Sequence, residues 1–82
     1  MRGKPPGSTV RFYYDSDVEV MAEDVIESTG GSLYYVDEIE RIGKGRLGRQ
    51  RFHMRCVKLD PTTFQGEPDH HLYWYPRRRK RP

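Results

Sequence analysis

Hydrophobic and polar positions alternate along several short stretches of the chain, the pattern of strands that bury one face. Residues 10–14 predict a first strand, and residues 32–42 predict the longest one. Residues 50–59 predict its neighbour, and residues 71–75 predict a last strand that Pro76 ends. The pattern therefore favours a mainly β protein.

Two finer features of the pattern concern the long central hairpin. Phe52, Met54 and Cys56 share one side of their strand and predict a buried face. The apolar positions of residues 32–42 change sides partway, as a β-bulge would cause. Before this strand, Gly30-Gly31 predicts a hairpin turn, because glycine accepts the positive φ angles of tight turns.

Residues 17–28 fit two patterns. Residues 18–20 alternate, and the β-branched content favours two short strands joined by a turn. A helix is the alternative, because Val18, Met21 and Val25 recur at spacings of three and four residues. We expect the strands.

With 82 residues, the chain holds one domain with a modest core. Five to six short antiparallel strands and little helix predict a small SH3-like or OB-like barrel over residues 10–76. Residues 1–9, with Pro5-Pro6-Gly7, predict a flexible N-terminal arm, and residues 77–82 a flexible basic tail.

Charge is segregated along the sequence. Residues 12–40 contain nine acids and no Lys or Arg, whereas residues 41–59 contain seven bases and no acid. This asymmetry indicates a polyanionic partner or a charge-matched assembly. The alternative is that adjacent antiparallel strands neutralise one another through cross-strand pairs, or that the charges line a solvated face.

The sequence offers little for catalysis or metal binding, and we expect a protein that is not an enzyme and needs no cofactor. His53 and Cys56 would lie on opposite faces of their strand, so the histidine could not activate the thiol. Asp69, His70 and His71 lack the spacing of a zinc site, and the two histidines are expected at the surface.

The glycine-spaced segment at residues 43–49, GKGRLGR, does not predict a nucleotide-binding loop. Such loops lead into a helix whose N-terminus faces the phosphates, and a strand follows here instead. The segment predicts a mobile, basic hairpin tip.

The hairpin, the last strand and the tail together predict a surface that binds nucleic acid, either DNA or RNA, or an acidic protein. Basic side chains would contact phosphates, and outward tyrosines would stack on bases, while Trp74 joins the core. The predicted residues are Lys44, Arg46, Arg49, Arg51, Tyr73, Tyr75, Arg77, Arg78, Arg79, Lys80 and Arg81.

A different class of function also fits the sequence. Charge-matched faces and sheet edges would suit a structural assembly protein, such as a phage virion component or an adaptor that forms oligomers. The chain start has no apolar leader, and no stretch reaches the length of a membrane span. We therefore expect a cytoplasmic protein, or one within a virion if phage-encoded.

Overall fold

The computed structural model describes residues 5–72, and these form one five-stranded sheet. The predicted mainly β class is confirmed. The only helical element among these residues is one short 3₁₀ turn, and they include no helix that could cross a bilayer. The strands are β1 (Thr9–Ser16), β2 (Val25–Ser28), β3 (Leu33–Lys44), β4 (Gln50–Leu59) and β5 (His70–Leu72), and the 3₁₀ turn is Arg46–Gly48.

The strands lie in the order β1-β4-β3-β2-β5. The pairs β1–β4, β3–β4 and β2–β3 are antiparallel, as expected, but β5 runs parallel to β2, so the prediction of an all-antiparallel sheet is wrong. The reason is the loop at residues 60–69. It returns the chain to the end of the sheet where β2 begins, and there the Asp69 N–H donates to the carbonyl of Val25 over 2.7 Å.

The sheet is strongly curved. β1 and β5 are its two edge strands, and in a flat sheet four spacings of about 4.8 Å would separate them. Nevertheless, the rings of Tyr14 on β1 and His70 on β5 lie only 5.8 Å apart, edge to face. The curvature therefore brings the edges together over the core, but within residues 5–72 no strand pairing joins them.

The core occupies the concave side of the sheet, which we call the inner face. Phe52, Met54 and Cys56 alternate along β4 and are buried there, as predicted. Ile26 and Val36 complete the centre from β2 and β3. Burial of these apolar side chains is the main stabilising contribution that the sheet receives.

Two bulges shape β3. Its pairing with β4 shifts register between Val36 and Glu38 and again between Ile39 and Arg41, so Asp37 and Glu40 have no partner on β4. The predicted bulge is thus confirmed, and a second one accompanies it. Each bulge adds one residue to β3 and increases the local twist of the strand.

Residues 17–28 follow neither sequence interpretation in full. Val25–Ser28 forms the predicted strand, but residues 18–20 belong to an irregular loop rather than a strand. In this loop the Ser16 hydroxyl both accepts the Val18 N–H and donates to the Val18 carbonyl, which bends the chain away from the sheet. Val20 still reaches the core and is 2% exposed.

The predicted turn at Gly30-Gly31 is confirmed. It joins β2 to β3 in an antiparallel hairpin, and Gly31 has a φ of +89°. At the other end of the described chain, Gly7 donates its N–H to the Lys58 carbonyl, so this part of the predicted arm lies along β4 just before β1 begins.

Candidate nucleic-acid interface

The convex side of β1, β4 and β3, which we call the outer face, carries the basic residues of the hairpin in cross-strand rows. One row joins Arg11, Arg55 and Glu38, because residues opposite each other in an antiparallel ladder project to the same side. The next row along the strands joins Tyr13, His53 and Arg41. The third joins Asp15, Arg51 and Gly43.

Arg51, predicted to contact phosphates, binds a carboxylate of its own chain. Its Nε and Nη2 donate to the two oxygens of Asp15 over 2.7 and 3.0 Å, and both side chains are largely buried. The hydrogen bond from Arg51 holds the pKa of Asp15 below its ordinary value, although partial burial acts in the opposite direction. The guanidinium also lies over the Tyr13 ring, 4.1 Å from its centroid.

The remaining outer-face arginines with acidic partners show the same arrangement. Arg49 Nε lies 3.2 Å from Asp17 Oδ1. Arg55 pairs with Asp37 at 2.7 Å and with Glu38 at 3.0 Å. The bulge at Asp37 explains the second contact, because it places two consecutive acidic residues beside one arginine of β4.

The second bulge places Glu40 beside Arg11 of β1 in the same way. The Arg11 Nε donates to both carboxylate oxygens of Glu40 over 3.1 Å each. The cross-strand neutralisation that the sequence left open as an alternative is thus present for Arg11, Arg51 and Arg55 of this face.

The hairpin tip differs from the outer face. Within residues 5–72, neither the Lys44 ammonium nor the Arg46 guanidinium has an ion-pair partner, and both residues are exposed. Between them and the following strand, Leu47 is 86% exposed and has a φ of +56°. The tip therefore presents two cations and one apolar side chain to the solvent.

The tip is held in place by Asp15 on β1. The Asp15 carboxylate accepts the backbone N–H of Arg46 over 3.2 Å while it also binds Arg51. Gly45 is required for this close approach, because a Cβ at that position would lie 2.6 Å from Asp15 Oδ1. One carboxylate thus fixes both the outer face and the loop beyond it.

The net charge of the described residues is opposite in sign to that of the whole chain. Residues 5–72 contain eight Lys and Arg and twelve Asp and Glu, a net charge of −4. The seven other basic residues lie in residues 1–4 and 73–82, which contain no acid, and the whole chain has a net charge of +3. Any strong attraction for a polyanion must therefore come from the chain ends and the tip.

Of the predicted binding residues, Lys44, Arg46, Arg49 and Arg51 lie at the tip or next to it. β5 ends at Leu72, opposite Ser28, at the end of the sheet where β3 begins. The tip lies at the far end of β3, roughly 30 Å away at 3.3 Å per residue. Tyr73, Tyr75, Arg77, Arg78, Arg79, Lys80 and Arg81, with Trp74, lie outside the described residues.

Sequence reasoning missed one group on the outer face. Tyr13 is 54% exposed, and its ring lies 5.8 Å from that of His53. His53 Nε2 in turn accepts a hydrogen bond from Arg41 Nη2 over 3.1 Å, because a guanidinium can only donate. The alternation of residues 10–14 already placed Tyr13 opposite the apolar positions, but an exposed tyrosine alone is not a signal of binding.

The two histidines of β5 have defined partners. His70 is buried, contrary to the expected surface position, and its Nε2 lies 2.8 Å from Asp24 Oδ2. His71 lies at the surface, and its Nδ1 is 2.9 Å from Glu27 Oε1. In the part of the chain that the structure describes, no three His, Cys, Asp or Glu side chains form a group that could hold a metal ion.

The single cysteine is a core residue. Cys56 is fully buried on the inner face, whereas His53 projects from the outer face, as the alternation predicted. Burial raises the pKa of the Cys56 thiol to about 12, so it stays protonated and a poor nucleophile at neutral pH.

Comparisons with protein-family models, with curated proteins and with solved structures found no match to this chain.

Proposed function

We propose that this protein binds nucleic acid, mainly through phosphate contacts from its hairpin tip and its C-terminal tail. The observation that supports this most is the contrast in pairing: most outer-face arginines bind carboxylates, whereas Lys44 and Arg46 at the tip have no ion-pair partner in residues 5–72. Cations without a carboxylate partner are available to release counterions from a polyanion.

Arg49 and Arg51 contribute less in this proposal. Each already shares its charge with a carboxylate, Asp17 or Asp15, and a phosphate would have to compete with that partner. The five basic residues at positions 77–81 supply most of the affinity, because the described residues have a net negative charge. Binding of this kind depends little on base sequence.

The proposal also includes the finer fold class. The curvature that brings Tyr14 and His70 into contact supports a small SH3-like or OB-like barrel in which β1 and β5 approach each other. Small barrels of this kind present loops at their ends, which suits a binding protein with a basic hairpin tip.

A salt titration tests the phosphate contacts. Binding of DNA and RNA by the full chain is measured against salt concentration, with three variants: Lys44→Ser at the tip, a chain truncated after Pro76, and the matched control Arg55→Ser. The control removes one cation that has carboxylate partners.

We expect the slope of log K against log salt to fall by about 0.7–0.9 for each phosphate that the variant no longer neutralises. The tip variant should therefore lower it by up to about 0.9, and the truncated chain by more, while the control changes it little. Equal slopes for the tip variant and the control would contradict the role of the tip. Absence of binding by the full chain at low salt would contradict the proposed function.

A second candidate function, structural assembly, has its own support. β1 is an edge strand, and no described residue pairs with its free side. In the loop that follows it, Val18 and Met21 are 64% and 55% exposed. Exposed strand edges and apolar side chains are typical contact sites between chains.

Sedimentation velocity over a range of protein concentrations separates the two functions. An assembly protein should form defined oligomers without nucleic acid, and Val18→Ser/Met21→Ser should weaken them. A chain that stays monomeric at all concentrations would exclude self-assembly and leave nucleic-acid binding as the function to pursue.

A further inference from the structure

The row Tyr13, His53 and Arg41 brings three planar side chains side by side across β1, β4 and β3. Neighbouring strands are about 4.8 Å apart, so the row is roughly 10 Å long, comparable to a short stack of bases laid across a sheet. The row is not a buried structural cluster, because Tyr13 and Arg41 are both exposed.

Ion pairs border this row on both sides. Arg51 and Asp15 lie on one side, and Arg11 and Glu40 lie on the other. The pairs fix the arginine side chains and leave the planar groups between them accessible. A charge-balanced border also means that phosphate attraction alone would not direct a ligand to this place.

A shallow depression of about 230 Å³ lies beside Tyr13. It is lined by Arg11, Tyr13, Glu40 and His53, with Phe12 and Met54 beneath. Arg51 lies over the Tyr13 ring at 4.1 Å and does not line the depression. The Tyr13 side chain, which is 54% exposed, borders the depression together with the His53 ring, 5.8 Å away.

The polar groups around the depression can bind the edge of a base. Both hydrogen bonds from Arg11 to Glu40 use Nε, and within residues 5–72 the terminal amino groups of the guanidinium donate no other hydrogen bond, so they are available as donors. The Glu40 carboxylate supplies acceptors next to them. A ring stacked on Tyr13 would meet donors and acceptors at its rim, as nucleobases require.

We propose that Tyr13, flanked by Arg11, Glu40 and His53, is a stacking site for a base of single-stranded nucleic acid. This inference rests on the proposed function and deepens it, because it assigns single-strand selectivity to the outer face and general affinity to the tip and tail. Bases are accessible for stacking only when they are unpaired, so duplex nucleic acid should not use the site.

The experiment compares two labelled probes by fluorescence anisotropy at low salt: oligo(dT) of about 15 nucleotides and a blunt duplex of the same length. The variants are Tyr13→Leu, Tyr13→Phe and the matched control Tyr35→Leu. Tyr35 lies farther along the sheet, opposite Val57, and away from the depression.

Tyr13→Leu should weaken binding of the single strand about 5- to 150-fold, the range for loss of one stacked base, and leave duplex binding unchanged. Tyr13→Phe keeps the ring and should keep the affinity. Tyr35→Leu should not change the preference for single strands.

Photo-cross-linking of the wild-type chain to a single strand carrying 5-bromouracil provides a readout that does not depend on how the variants fold. Mass spectrometry should find the adduct on the peptide that contains Tyr13. An adduct located elsewhere would overturn the site.

The outcomes separate this site from the proposed function. If Tyr13→Leu weakens neither probe, or weakens both equally, while the tip and tail variants still change the salt slope, the stacking site is wrong and the proposed function stands. If the full chain binds neither probe, both fail.

Discussion

The two faces of β4 differ in what they contribute: the inner face packs into the core, and the outer face forms ion pairs. On the inner face, Phe52, Met54 and Cys56 are between 0% and 1% exposed and form the centre of the core. On the outer face, Arg51 and Arg55 alternate with them and bind carboxylates of β1 and β3. The first face excludes water, and the second face neutralises charge.

The difference shows that charge in the sequence is not a guide to charge at the surface. The basic run from residue 41 to residue 59 suggested a polyanion-binding hairpin, but its neighbours in space are the acids of residues 15–40. At the tip, Lys44 and Arg46 have no ion-pair partner among residues 5–72, and the same is true of Arg41 and Lys58 elsewhere in the basic run. Four predictions test this contrast, beginning with the largest expected effect.

Truncation of the core should have the largest effect on stability. We expect Phe52→Ala to lower the free energy of unfolding by about 3–5 kcal/mol, because it removes a fully buried ring and leaves a cavity. Urea denaturation measures the change. The matched control is Ile42→Ala, directly opposite on β3 but 50% exposed, which should cost about 1 kcal/mol or less. Equal losses would show that the inner face is not the main source of stability.

The Asp15–Arg51 pair should have the next largest effect, and it should depend on pH. The pKa of Asp15 is lowered in the folded chain by its hydrogen bond from Arg51, so folding favours the ionised form. The stability that the pair contributes is therefore complete above the unfolded pKa of about 3.9 and is lost as pH falls through the lower folded value.

A double-mutant cycle with Asp15→Asn and Arg51→Gln measures that contribution. We expect favourable coupling between the two residues at neutral pH, and this coupling should be lost as the pH falls through the lowered folded pKa of Asp15. Coupling that persists at low pH would mean that packing, rather than charge, joins the two side chains.

Gly45→Ala should have an intermediate effect that is transmitted through Asp15. The new Cβ would meet the Asp15 carboxylate, which must turn away from Arg51 and from the Arg46 N–H. We expect a lower melting temperature in the wild-type background and little change when Asp15 is already alanine. Additive losses in the two backgrounds would show that Gly45 is needed for another reason, such as its backbone conformation.

The Arg55 ion pairs with Asp37 and Glu38 should have the smallest effect. These side chains are between one third and about one half exposed, and exposed pairs are weakened by solvent and salt. Arg55→Gln should lower the melting temperature slightly at low salt and not at all in about 1 M salt. An effect unchanged by salt would show that Arg55 stabilises the fold through packing of its aliphatic stem rather than through its charge.

Much of the fold could be predicted because the alternation of apolar and polar residues along a strand follows the burial of its two faces. The bounds of β4 match the predicted residues 50–59, and the inner-face set Phe52, Met54 and Cys56 was correct. The parallel pairing of β5 with β2 could not be predicted, because it depends on where a ten-residue loop returns the chain, and that loop carries no periodic pattern.

The candidate site was less accessible to sequence reasoning. The pattern of Arg51 is that of a solvent-facing cation, and its partner Asp15 lies 36 residues earlier in the chain. Which arginines have their charge neutralised by a carboxylate depends on strand order and register, and neither is encoded locally. Tyr13 was missed for a related reason, since its neighbours His53 and Arg41 belong to other strands.

The bulges of β3 have a consequence for insertions and deletions. Asp37 and Glu40 have no partner on β4. Deletion of Asp37, for example, would join Val36 directly to Glu38, and these two already pair with the consecutive residues Cys56 and Arg55. Deletion elsewhere in a strand would turn every later side chain to the wrong face. β3 therefore contains two positions at which a residue can be lost without moving inner-face side chains to the outer face. Single-residue deletions should be tolerated at these positions and almost nowhere else in the hairpin.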